Sequence, residues 1–218
     1  MVDVAPHPLL RVHLLSCALP AALADLATPA TVDDAREGVA PAGFIPPEDT
    51  VRTAVRDLLR HGGYKPTGRG KPSCEYLARA VGAGSLGAIN LLVDVTNAAS
   101  LHAGVPISVV DLDSVRGGLR IDIAPGGSSY PFNASGQEID VGGLLCLHDT
   151  IGPCANAVKD AQRTKTSATT RRALIVVWGV LDHEARSVTA IAWMTEALDA
   201  AGVRVMSMTP PPAGSSVA

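Results

Sequence analysis

Residues 89–120 read INLLVDVTNAASLHAGVPISVVDLDSVRGGLR, and this stretch decides the class of fold. Leu91 to Leu101 reads as a helix, apolar except for Asp94, Thr96, Asn97 and Ser100, with Gly104 as its carboxyl cap and Pro106 just beyond. Ile107 to Leu112 and Leu119 to Ile123 read as short strands joined by a turn at Arg116-Gly117-Gly118. Helix and strands therefore come in blocks from the outset.

Toward the amino terminus, Arg11 to Leu15 reads as a strand. Pro46-Pro47-Glu48-Asp49 introduces a helix whose Val51, Val55, Leu58 and Leu59 share one face, and His61-Gly62-Gly63 ends it. The loop KPTGRGKPS (65–73) leads into a helix from Pro72 through Cys74, Leu77, Ala78 and Val81, stopped by Gly82 and Gly84. Toward the carboxyl terminus, residues 125–137 are too rich in Gly, Ser, Pro and Asn for either regular state. Leu144 to Leu147, Ala155 to Val158 and Leu174 to Val180 read as strands, Ala190 to Ala201 as an amphipathic helix, and Val203 to Met208 as a last strand. Clustered strands define an α+β domain with helices packed on a mixed sheet, not a doubly wound one. No repeat or linker divides the chain, so one domain over residues 1–209 is expected, with a disordered tail at 210–218.

The composition fits such a domain. Of 218 residues, 47% are apolar but only 3% aromatic, which excludes a disordered chain. No apolar run approaches the roughly 20 residues that span a bilayer. Leu9 to Leu26 resembles a secretory leader only loosely, because His13, Pro20 and Asp25 interrupt it. Cys17, Cys74, Cys146 and Cys154 form no C-x-x-C pair, so thiols in a reducing cytoplasm are the default. A net charge of −3 argues against coating nucleic acid through bulk electrostatics. Two local basic groups stand out nonetheless: Arg56, Arg60, His61, Lys65, Arg69 and Lys71, and Lys159, Arg163, Lys165, Arg171 and Arg172. They suit a phosphate backbone or, equally, two solvated surfaces.

Motifs for serine, zinc or nucleotide chemistry are missing: no G-x-S-x-G, H-E-x-x-H, P-loop or placed G-x-G-x-x-G. Cys146, His148 and Cys154 match no recurrent zinc spacing, and no metal or organic cofactor is implied. A distant triad such as Ser108, His102 and Asp111 is the sort any chain of this length offers. Polar residues within apolar segments carry more weight. Asn90, Asp94, Thr96 and Asn97 serve either a pocket or the scaffold. Lys159, Asp160, Thr164 and Lys165 form a tight polar cluster. There a lysine suits a phosphate or a developing oxyanion, Asp160 can orient that lysine or activate water, and an ion pair on a loop is the competing reading.

The segment 89–120, with SGQEID (135–140) and GPCANAVKDAQRTKTSATTRR (152–172), resembles the B3/B4 editing domain of the phenylalanyl-tRNA synthetase β subunit. That domain hydrolyses amino acids wrongly attached to tRNA. The resemblance covers about residues 65–180 and implies a free-standing version of the domain, a cytoplasmic hydrolase acting in trans on the aminoacylated 3′ end of tRNA. It makes Glu138 the group that reads a polar feature of the misattached side chain. Asn90, Asp94, Thr96, Asn97, Ser108 and Asn133 surround the amino acid in this reading. Lys159, Asp160 and Thr164 join Glu138 in catalysis, and the flexible loop with Lys65, Arg69 and Lys71 clamps the acceptor end with Arg163 and Lys165. Ser108 departs from the family, which carries a histidine after G-x-P-x, and this puts the aromatic substrate preference in question. The alternatives are a non-catalytic tRNA- or amino-acid-binding module of the same fold, and an esterase acting on a free small molecule.

Overall fold

The computed structural model describes residues 2–208; the tail from 210 lies outside them. In chain order its elements are β1 (Val2–Val4), β2 (Leu10–Ala18), α1 (Ala30–Arg36), α2 (Asp49–Arg60), α3 (Ser73–Gly82), α4 (Leu91–Ala103), β3 (Ile107–Asp111) and β4 (Leu119–Ile123). There follow β5 (Ser129–Pro131), β6 (Glu138–Asp140), β7 (Leu145–His148), β8 (Pro153–Asn156), β9 (Arg172–Val180), α5 (Glu184–Ala200) and β10 (Arg204–Ser207). The architecture is α+β. One sheet has the order β1-β4-β7-β8, a second β10-β2-β9-β3, and β5 and β6 form a separate hairpin. Among the described residues only β1 and β4 pair in parallel; the other pairs are antiparallel.

The stretch 89–120 folds as read. Asn90 caps α4 by accepting the Val93 amide at 3.1 Å, and Gly104 ends it in the left-handed conformation at φ 72°. Helix α4 packs on α1, α3, α5 and β3, which is why its sequence is apolar on nearly every side. Strand β9 is buried from Ala173 to Val180 because β2 and β3 flank it and side chains of both its faces are covered. On α2, Val51, Val55, Leu58 and Leu59 are each 1% exposed, as the helical spacing requires. These side chains belong to one continuous hydrophobic cluster that includes residues of both four-stranded sheets.

Four departures from the sequence reading have physical causes. The hairpin β5–β6 forms inside the stretch read as irregular, closed by Asn133, whose side chain accepts the Gln137 amide at 3.0 Å and the Ser135 hydroxyl at 2.9 Å. Strand β8 ends at Asn156 instead of Val158, because the Asn156 carboxamide turns the chain by accepting the amides of Val158 and Lys159 at 2.8 and 2.9 Å. Helix α5 begins at Glu184, ahead of the expected Ala190, since a 3-10 turn at Leu181–His183 winds straight into it. Its first residues are polar, and apolar periodicity could not reveal them. Strand β1 and helix α1 had no counterpart in the reading; both are short, and β1 exists through its parallel pairing to β4.

The junction after α2 tolerates no side chain. A Cβ on Gly62 would overlap the Gly143 carbonyl and come within 2.6 Å of Ile123 Cγ2. Gly62→Ala is expected to cost about 1–3 kcal/mol, the usual range for forced overpacking. Urea denaturation measures it, and an unchanged midpoint would contradict the contact.

Candidate functional site

Three segments meet at one cleft of about 400 Å3: the loop from Tyr64 to Gly70, the β5–β6 hairpin and the turn after β8. Its walls carry Tyr64, Arg69, Phe132, Glu138, Asp140 and Lys159. Each segment is held in place. The basic loop, expected to be flexible, is pinned where the Tyr76 hydroxyl donates to the Gly68 carbonyl at 2.9 Å. Gly70 lies against the Tyr64 hydroxyl too closely for a Cβ. Just past the loop, the Ser73 amide donates to the Ala157 carbonyl at 2.9 Å, tying α3 to the turn after β8.

That turn is organised by Asn156, which is 2% exposed. Its carbonyl oxygen takes two backbone amides as described, and its amide donates to the Tyr130 hydroxyl. Tyr130 in turn donates to the Lys159 carbonyl at 2.6 Å. Hairpin and turn are thereby locked together, and Lys159 Nζ is set 3.9 Å from the centre of the Phe132 ring, within cation–π range. Burial lowers the proton affinity of Lys159, and the neighbouring charges of Arg69 and Lys165 lower it further. Lys165 Nζ donates to the Phe132 carbonyl at 2.6 Å. Two lysines of one loop thus converge on Phe132, and Arg69 of the other loop lines the same cleft.

Glu138 and Asp140 are two apart on β6, so both stand on the same face of the strand and both line the cleft. Asp160 follows Lys159 and is half-buried. Enclosure pushes its carboxyl up to about 6, against the opposing pull of the Asn156 amide. That amide donates to Asp160 Oδ1 at 3.1 Å.

Other residues of the expected site have different surroundings. Ser108 is 2% exposed; its hydroxyl donates to the Asn156 carbonyl at 3.0 Å and accepts the Trp178 indole at 2.9 Å. It lies under the cleft, not on its surface. Thr164 is fully buried and donates to the Cys154 carbonyl at 3.0 Å, which is scaffold work. Arg163 grips the buried Asp149 with both nitrogens, at 2.7 and 2.8 Å, so its charge is already paired. Asn90 also donates to Thr166 Oγ1 at 3.3 Å. Asp94 accepts the Ile89 amide at 2.9 Å, and Thr96 bonds back to the Leu92 carbonyl at 2.9 Å; these three fix α4 at its entry. Asn97 is half-buried on α4, and Asn133 holds the hairpin tip. Lys65 is exposed and Lys71 half-buried on the basic loop.

The distant triad does not assemble, since each member is engaged elsewhere. His102 Nε2 lies 2.8 Å from the Ala35 carbonyl, and Asp111 accepts the Thr170 hydroxyl at 2.7 Å. Among the described residues no group of three His, Cys, Asp or Glu side chains is arranged to hold a metal, so Cys146, His148 and Cys154 are not a ligand set. No helix among them is long and apolar enough to cross a membrane. A second cavity, about 410 Å3, lies among α2, α3 and α4 with mostly apolar walls including Phe44, Cys74 and Leu101; it holds none of the expected site residues.

An α+β domain whose cleft is assembled from a basic loop, a short hairpin and a lysine-bearing turn defines the class. The chain belongs to the B3/4 domain family, whose model matches residues 65–198. It is 31% identical over 105 residues to the phenylalanine–tRNA ligase β subunit of Bartonella henselae, a match covering 47% of this chain and 13% of that protein. The chain therefore spans a small part of the relative's length. It is also similar to an N-terminal fragment of the phenylalanyl-tRNA synthetase β subunit from Pyrococcus horikoshii, with 15% identity, a TM-score of 0.45, and coverage of 55% of this chain and 45% of the other.

Proposed function

We propose that this protein is a trans-acting aminoacyl-tRNA editing hydrolase, residues 1–209 acting as one domain in the cytoplasm on a mischarged or non-standard aminoacyl-tRNA. The observation that carries the reading is that Glu138, Lys159 and Arg69 line one cleft in a B3/4 family chain related to a tRNA ligase subunit. The ester between an amino acid and a ribose hydroxyl is already activated, so hydrolysis needs a placed water, a proton acceptor and charge stabilisation more than a covalent nucleophile. Asp160, with a proton affinity raised to about 6, suits acceptance of a proton from water near neutrality. The hydroxide so formed adds to the ester carbonyl while Lys159 steadies the oxyanion. The carbon–oxygen bond to ribose then breaks, and the ribose oxygen recovers the proton. Glu138 recognises the amino-acid portion, and Lys65, Arg69, Lys71 and Lys165 hold the single-stranded acceptor end. Arg163 and Thr164 take no direct part.

The test is a deacylation panel. tRNAs charged with labelled Tyr, Phe, Ser, Thr, Ala and available analogues are mixed with the protein, and ester loss is followed beside Glu138→Ala. Rapid loss of one ester is expected, slowed at least tenfold or redirected to another amino acid by the substitution. Survival of every ester at high protein concentration would sink the hydrolase. The second reading, a non-catalytic binding module, has the buried Thr164 and Ser108 in its favour, and intact tRNA binding without turnover would establish it.

A further inference from the structure

The cavity of about 410 Å3 among α2, α3 and α4 has no wall residue in common with the cleft, and none of the chemistry above uses it. Its walls include Phe44, Pro47, Val55, Cys74, Val81 and Leu101. The connection between α1 and α2 supplies one wall, and that connection is fastened. Arg186 on α5 donates to the Ile45 and Pro46 carbonyls at 2.8 and 3.0 Å, and a Cβ on Gly104 would come within 2.7 Å of Pro47 Cβ. Arg56 on α2 holds Glu75 on α3 at 2.7 and 2.6 Å. Polar contacts thus tie the surrounding elements together, so the shape of the cavity is set before a ligand arrives.

The polar groups decide what fits. Glu75 has both oxygens engaged by Arg56, Arg52 is paired with Asp49 at 2.9 Å, and Glu48 is exposed. His102 differs from these: it lines the cavity and is 8% exposed, with Nε2 at 2.8 Å from the Ala35 carbonyl. A carbonyl only accepts, so Nε2 carries the hydrogen and Nδ1 of the neutral ring is left as an acceptor. Among the described residues no hydrogen bond to that nitrogen is formed. It calls for one donor. A carboxylate would meet its lone pair, and an ammonium would lose water with Glu75 already claimed by Arg56. Phe44, edge-on to His102 with 5.8 Å between ring centres, favours an aromatic neighbour. An apolar cavity of about 150 Å3 takes one benzene ring, so this one accommodates a ring with a short substituent.

We propose that this cavity is a binding site for small neutral phenols, the ring and its apolar substituent packing on Phe44, Val81 and Leu101 and the hydroxyl donating to His102 Nδ1. A phenol joins ring and donor in one rigid, uncharged group. Apolar walls give water little to bond, and such a molecule gains contacts that water does not supply. The site is separate from the cleft and needs nothing from ester hydrolysis.

The test is calorimetric titration of the full chain with 4-propylphenol, expected to bind with a dissociation constant below about 1 mM. 4-Propylanisole, in which a methyl group replaces the hydroxyl hydrogen, is expected to bind about tenfold more weakly, the scale of one hydrogen bond. Tyrosine, whose ammonium and carboxylate stay charged, is expected not to compete. Ala78→Phe, which puts a ring into the same space from an exposed position on α3, abolishes binding, and Ala200→Phe, exposed at the end of α5, leaves it alone. His102→Phe removes the preference for the phenol over the anisole. The comparison of the two ligands on the parent chain needs no variant, and methyl NMR locates it: Val55, Val81 and Leu101 resonances shift with ligand while those of Val177, buried in β9, stay. Absence of saturable binding below about 1 mM, equal affinity for phenol and anisole, competition by tyrosine, unchanged binding to Ala78→Phe, or shifts confined to other methyls each overturns the site.

Discussion

Arg163→Ala is expected to destabilise the fold by about 3 kcal/mol at pH 7, in the range found when one partner of a buried ion pair is removed. Asp149 has a side chain with no exposure, and Arg163 reaches it at 2.7 Å. The carboxylate also accepts the amides of Arg116, Ile151 and Gly152 at 3.0, 2.9 and 3.3 Å, so one side chain fastens the turn before β8 to two other segments. Burial alone would raise its proton affinity; Arg163 and these amides more than offset that and hold it at about 2. A carboxyl whose folded pKa is depressed contributes stability that is complete above its unfolded value near 3.8 and is lost as pH falls toward 2. By the size of the shift that contribution is about 2 kcal/mol. Without Arg163 the buried charge keeps only its amides, and a protonated Asp149 requires no cation. The gap between variant and parent should therefore narrow as pH drops from 5 to 3. Chemical denaturation at pH 7, 5 and 3 measures it. A gap that does not change with pH would mean that lost packing, not the ion pair, causes the effect. A tRNA-binding role for Arg163 would predict the reverse pattern, with affinity falling and stability kept.

The helix-to-strand passage at 89–123 was legible because Gly104 and Pro106 punctuate it and the apolar period is clean on both sides. The hairpin β5–β6 was not, because its strands are three residues long and its order comes from Asn133 and from packing of Tyr130, neither of which leaves a periodic trace. Glu138, Lys159 and Arg69 were singled out, and one cleft holds them; Ser108 and Thr164 were singled out too, yet their hydroxyls serve buried carbonyls. A residue type does not say whether it points into a cleft or beneath it. Asn156 and Tyr130 were missed because their importance lies in a network that no single segment contains. One signal was available in composition. With only three tyrosines, two phenylalanines and four lysines in the chain, the lysines all fall in the loops bordering the cleft, while Tyr64 and Phe132 line it and Tyr76 and Tyr130 bond to its loops. Scarce residue types concentrated at one place mark a site that apolar periodicity passes over.

Asp160→Asn is expected to make the protein more stable at pH 8 and less active at the same time. The folded state holds the Asp160 proton up to about pH 6, while the unfolded chain releases it near 3.8. A carboxyl whose folded pKa is raised opposes folding once it ionises, so the parent loses stability as pH rises from about 4 to 6 and regains none above. Solvent screening of a half-buried group brings the loss to about 1–2 kcal/mol. Asparagine stays neutral across this range, and its side-chain oxygen can still accept the Asn156 amide. The variant should exceed the parent in stability at pH 8 by that margin and match it at pH 4. Activity should fall on the order of a hundredfold at neutral pH, the scale of a lost general base. Under the proposed hydrolase reading, a part in proton transfer would account for a fold that keeps a carboxylate working against it. A variant no more stable than the parent at pH 8 would show that the backbone amides already compensate the charge. A variant with unchanged deacylation would move proton transfer away from Asp160 and leave Lys159 and the backbone amides as the machinery of the cleft.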